Sequence, residues 1–147
     1  MTIVAWDGYT LAADKRMNTE GGPGATVRKI AQLSNGSLVG WAGGLAFAQS
    51  VIKWLDAGAD RELANEAWFE HEDMAVQVIM IAPDKSVWLY EHIDPVPVED
   101  RFYAIGSGAP YAIVAMDLGQ TAYQAVQMAC KYDAMCGYGI DSLVLEE

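Results

Sequence analysis

Lys29 is the first side chain whose surroundings call for chemistry. In the segment "VRKIAQL", period-two alternation groups Val27, Lys29, Ala31 and Leu33 on one face and Arg28, Ile30 and Gln32 on the other. Both faces are mixed. One reading turns the lysine inward among small apolar residues; the other leaves it solvated on an edge strand. An ammonium that is buried needs a carboxylate or it loses its proton. Asp14, on the same face as Thr10 and Ala12, closes "TLAAD" and by itself reads as a turn residue ending a strand. Ser107 lies among glycines in "AIGSGAPYA", a strand-to-helix junction with open backbone N–H groups that completes neither of the phosphate-binding glycine fingerprints. "CGYGID", from Cys136 to Asp141, reads as a glycine loop. His71 and His92 lack ligand spacing or carboxylate clusters, so a metal site has little support.

These residues need strands and turns to bring them together. Ile3 to Trp6 and Tyr9 to Ala13 flank Asp7-Gly8, a hairpin pattern that draws Thr2 into a sheet where most chains fray. A two-residue Asp7-Gly8 loop opposes Met1 to Asp14, and a three-residue loop centred on Gly8 opposes Thr2 to Asp14. Val27 to Leu33 and Ser37 to Ala42 pair across Asn35-Gly36. A helix follows from Leu45 to about Ala57, with Gly58 past its end. Asp60 to Asp73 has room for a turn or two of helix. Ala75 to Ala82 and Ser86 to Tyr90 form another hairpin, about Pro83-Asp84. Pro95 and Pro97 mark a loop before a strand at Phe102 to Ile105. Two helices come next, from Pro110 to Gly119 and from the N-cap Thr121 to about Asp133, and then a strand at Leu143 to Leu145. Hairpin-linked strands and helices in blocks predict an α+β fold of two stacked antiparallel sheets with helices outside.

The 147 residues suit a single domain, and 52% apolar with 20% charged is a globular composition. A net charge of -11 argues against nucleic acid or an anionic membrane as partner. Ala31 to Ile52 carries no charge, but Ser34-Asn35-Gly36-Ser37 and Gly43-Gly44 punctuate it as turn and loop rather than membrane span. Cys130 and Cys136, with no basic leader ahead of the first apolar run, fit a reducing cytoplasm.

In this order the motifs resemble the proteasome β-type subunits and the shorter bacterial HslV peptidases, N-terminal-nucleophile (Ntn) hydrolases. "TIV" resembles the mature family N-terminus, "TLAADKR" the strand with the active-site aspartate and "VRKIAQL" the strand with the catalytic lysine. "GWAGGLA" resembles the oxyanion-hole loop, "AIGSGAPYA" the segment whose serine holds the terminal amine, and "DAMCGYGID" the pattern Asp-x-x-Ser-Gly-x-Gly-Ile-Asp. The resemblance implies a four-layer αββα sandwich, with the second helix shortened after Gly58. It implies Thr2 as nucleophile once Met1 is removed, with its own amine as base. Asp14 and Lys29 then tune the electrostatics, the Gly44 N–H meets the oxyanion, and Ser107 and Asp133 orient the amine. Cys136 stands where the family has serine, and the resemblance implies chemistry that needs no metal or organic cofactor.

On this resemblance the substrate is a polypeptide, cut inside a homo-oligomeric ring or smaller assembly, with an ATPase unfoldase as a further family partner. The alternatives are a catalytically silent subunit serving assembly or binding, and an amidase acting on a small molecule. A nucleotide-binding module built on the glycine loops is a distant fourth.

Overall fold

The computed structural model describes residues 2–19, 21–68 and 75–145. Its first sheet runs β10-β1-β2-β11, where β1 is Val4–Trp6, β2 Thr10–Asp14, β10 Tyr103–Ile105 and β11 Ile140–Val144. Its second runs β5-β6-β7-β8-β9, where β5 is Ile30–Gln32, β6 Leu38–Gly43, β7 Val76–Ile81, β8 Val87–Tyr90 and β9 Val96–Val98. Every pairing in both sheets is antiparallel. A small separate antiparallel pair joins β3 (Arg16–Met17) to β4 (Ala25–Thr26).

Alternation along the strands builds three apolar layers. Val4, Trp6, Leu11 and Ala13 face Ile30, Leu38, Ile79 and Ile81 between the sheets. The opposite face of the first sheet (Ile3, Ala5, Ala12) packs against α3 (Ala109–Asp117) and α4 (Ala122–Tyr132). The outer face of the second sheet packs against α1 (Leu45–Asp56) and the short α2 (Ala64–Trp68), which follows a 3₁₀ turn at Arg61–Leu63. The order helix, sheet, sheet, helix is the expected αββα sandwich. At Gly40 the sheets touch: a Cβ there would lie 2.5 Å from Val4 Cγ1, so a side chain has no room.

The helix ends follow local chemistry. Thr121 caps α4 by accepting from Gln124 N while the Gln124 side chain accepts from Thr121 N, a full capping box. Gly58, at φ +103, takes the left-handed turn after α1.

Two readings change. Val96–Val98, read as part of a proline loop, is an edge strand on β8; as the outermost strand it tolerates Pro97, whose missing N–H a central strand would need. The first hairpin also has a different register: Val4 opposes Ala13, which sets Ile3, not Met1 or Thr2, against Asp14. Its loop is Gly8-Tyr9, because Asp7 serves as the corner. The Asp7 carboxylate accepts from Tyr9 N, Thr10 N and, across the molecule, Ala122 N, each at 2.8 Å. Among the described residues no helix is long and apolar enough to cross a membrane.

Candidate active site

Asp14, the last residue of β2, is fully buried, yet every direction around its carboxylate is answered. Oδ1 accepts from Lys29 Nζ at 2.8 Å and Ile3 N at 3.2 Å; Oδ2 accepts from Gly137 N at 3.0 Å and Arg16 N at 3.4 Å. Lys29 is 4% exposed, which selects the inward reading, and its backbone is pinned where its carbonyl accepts from Trp41 N. A buried ion pair is tolerable only with such completeness, since removing one member strands a desolvated charge at about 3–5 kcal/mol.

Thr2 is held immediately beside this pair. Its carbonyl accepts from Gly108 N at 3.1 Å, while the next residue, Ile3, donates to Asp14 and accepts from Asp14 N. Gly106 lies so close under the Thr2 carbonyl that a Cβ would collide with it. Alternation sends the Thr2 side chain to the same side as Val4 and Trp6, toward the gap between the sheets. There the packing opens into a cleft of about 780 Å³ whose walls include Thr2, Lys29, Trp41, Gly43, Gly106 and Ser107.

Ser107, next to Gly106 on the cleft wall, belongs to a serine–acid pair. Ser107 Oγ donates to Asp133 Oδ2 at 2.8 Å, and Cys136 Sγ reaches the same oxygen at 3.4 Å. Asp133 ends α4 and turns back to accept from Met135 N at 2.9 Å. That N–H holds its carboxyl below the usual carboxylate range, helped by Ser107 and Cys136 and opposed by partial burial. The loop after α4 therefore joins both acids: Asp133 at its start reaches Ser107, and Gly137 at its end reaches Asp14.

Gly44 is placed differently from the expectation. Its N–H donates to Ala75 O at 3.0 Å, and the cleft wall is Gly43. Strand alternation explains this. Trp41 N bonds toward β5 and Gly44 N toward β7, so the Gly43 N–H turns from β7 to the side of Lys29 and the cleft. The signal was present in the sequence: counting by twos from the Asn35-Gly36 turn separates the two glycines. The structure thus brings Thr2, Lys29, Gly43 and Ser107 to the walls of one cleft, with Asp14 bonded to Lys29 and Asp133 and Cys136 behind Ser107, while Gly44 lies outside those walls.

No group of three or more His, Cys, Asp or Glu side chains converges as metal ligands among the described residues, and His71 lies outside them. The assembly can do acyl chemistry. It offers a hydroxyl, a fixed positive charge beside it, a backbone donor and a polar pair to orient a proton acceptor.

No family model and no curated protein sequence matches the chain. Solved structures do. BPH from Thiobacillus denitrificans is 20% identical with a TM-score of 0.73, over 99% of this chain and 98% of that one. Eukaryotic HslV from Trypanosoma brucei is 21% identical with a TM-score of 0.72, over 99% of each. An Anbu mutant from Hyphomicrobium sp. strain MC1 is 15% identical with a TM-score of 0.75, over 99% of this chain and 82% of that one. The fold is therefore that of the HslV- and proteasome-like Ntn hydrolases.

Proposed function

We propose that the protein is a threonine-type peptidase acting on polypeptides, with Thr2 as nucleophile after removal of Met1. The observation that supports it most is the buried Asp14–Lys29 pair beneath a cleft that Thr2 lines. Thr2 Oγ attacks the scissile carbonyl, and its hydroxyl proton passes to the free α-amine, a base of pKa about 8. Lys29 stabilises the developing alkoxide. The Gly43 N–H takes the oxyanion, a donor worth about 3 kcal/mol. The Ser107–Asp133 pair orients the amine. The tetrahedral intermediate collapses to an ester on Thr2 as the leaving amine departs with the proton, and water then releases the acid. Such a subunit would work within a homo-oligomer in the cytoplasm; no feature of the described residues speaks for an unfoldase partner.

The test is an intact-mass measurement of the cellular protein, without and with epoxomicin, the compound bound in a second T. denitrificans BPH structure. Loss of Met1 and a single adduct on Thr2 are expected, and Lys29→Met should slow adduct formation by about 10²–10⁴-fold. Retention of Met1 would end this reading.

One observation favours the second reading, a silent proteasome-like subunit. The hairpin register puts apolar Ile3, rather than Thr2, opposite Asp14, so Thr2 stands one position beyond the carboxylate's direct partner. That reading expects an unprocessed N-terminus and no adduct.

A further inference from the structure

α3 and α4 cover alanines on their inner side, yet their outer side is not polar. Tyr111 and Val114 on α3 and Leu118 at its C-cap, three and four residues apart, share one side of the helix, and Leu118 is 80% exposed. Tyr123 and Tyr132 are exposed on α4, and the Tyr132 ring stacks on Tyr111 at 6.1 Å. A single exposed leucine means little, but a continuous apolar row marks a contact surface.

The charges on this layer say what covers it. From Ala109 to Tyr132 the chain carries one acid, Asp117, and one base, Lys131, while the whole chain stands at -11. Copies of such a chain repel one another over most of their surface; over these two helices they do not. Both charges are exposed, and they lie at opposite ends of the layer. The Tyr111–Tyr132 stack sets the start of α3 beside the end of α4, so Lys131 is at that end and Asp117 at the end with the Gly119 turn.

We propose that this face binds the same face of a second copy, with the helices antiparallel across a two-fold axis. A two-fold contact must be self-complementary. Antiparallel, it brings each Asp117 to the end that carries the partner's Lys131, and each Leu118 to the tyrosine stack. Parallel, it would set acid on acid and base on base. The 11 residues of α4 span about 16 Å, and two helices abreast about 20 Å, so the face is roughly 300 Å² in plan. That is well below the about 800 Å² per partner of a standard interface, so by itself the contact is reversible. It supplies the partner face for the homo-oligomer of the reading above and takes nothing from the peptidase chemistry.

The experiment is sedimentation velocity on the full-length protein from about 1 to 100 μM, the range in which a reversible contact titrates. The unsubstituted protein should associate as concentration rises. Leu118→Glu should halve the molar mass, because breaking a two-fold contact divides a closed particle into equal halves. Asp117→Lys should weaken the pairing about tenfold or more by opposing the partner's Lys131, and adding Lys131→Asp should restore it. All three side chains stand in solvent, so circular dichroism should show each variant folded. A monomer at every concentration, a mass unchanged by Leu118→Glu, or a double variant no tighter than Asp117→Lys would overturn the proposal. The readout does not pass through Thr2: an assembly that forms no epoxomicin adduct keeps this contact and ends the peptidase reading, and an adduct on a monomer does the reverse.

Discussion

The two outer helical layers are built from opposite materials. Beneath α1 and α2 the packing is aromatic: Trp54 meets Trp68 edge-on at 5.9 Å and Tyr90 at 6.2 Å, and Phe47 meets Trp68 at 5.6 Å. Beneath α3 and α4 it is mostly alanine, with Ala5, Ala12, Ala104, Ala112, Ala125 and Ala129 all buried. Bulky rings bury large areas and tolerate some play; small side chains let a helix lie close to a sheet, where small displacements are felt. The loop that carries Asp133, Cys136 and Gly137 leaves from the alanine side. The contrast teaches that one layer supplies stability and the other supplies position.

The largest effect on stability should come from the aromatic side. Trp54→Ala removes three-ring packing and the indole bond to Asp60 O, at a cost of about 3–5 kcal/mol in urea unfolding. The folded fraction should still form the Thr2 adduct at the original rate; a parallel loss of rate would break the division. Gly108→Ala sharpens it from the other side. Its Cβ would stand 2.9 Å from Ile3 Cβ and 3.2 Å from Ala129 Cβ, an overpacking of about 1–3 kcal/mol. Here the adduct rate should fall out of proportion to stability, since Gly108 also holds Thr2. Thr121→Ala removes the α4 cap for about 1 kcal/mol, read as a lower thermal midpoint.

The smallest effect is one of pH. The Asp133 carboxyl is lowered in the folded state, so its contribution is present above the ordinary carboxylate range and lost as pH falls through the lowered value. Asp133→Asn should lower the urea midpoint slightly at neutral pH and flatten its acid limb, so that the two proteins converge below about pH 4.

What could be read from the sequence was local. Gly58, Gly119 and Thr121 ended or began helices where their own backbone chemistry puts them, while Lys29 left two readings open and called for a carboxylate only on the inward one. What could not be read depended on distant partners. Asp7 became a corner instead of a turn centre because Ala122, far along the chain, also donates to it. With Asp7 in that place the hairpin register sets Ile3 against Asp14. Pro97 looked like loop because nothing in the sequence says which strand is outermost. Gly43 and Gly44 are an intermediate case: they are adjacent and alike, and the alternation that tells them apart is countable from the Asn35-Gly36 turn once that turn is taken as the hairpin's centre.

Gly40 sets the gauge of the sandwich. The two sheets meet there with nothing but hydrogen between a backbone carbon and a valine methyl, and the strand runs on three residues to the mouth of the cleft. A methyl group added at this point would act as a wedge near a fulcrum, levering the mouth apart and loosening the grip of one sheet's lysine on the other's aspartate. The width of the opening would thus be set from a residue outside the cleft's own walls.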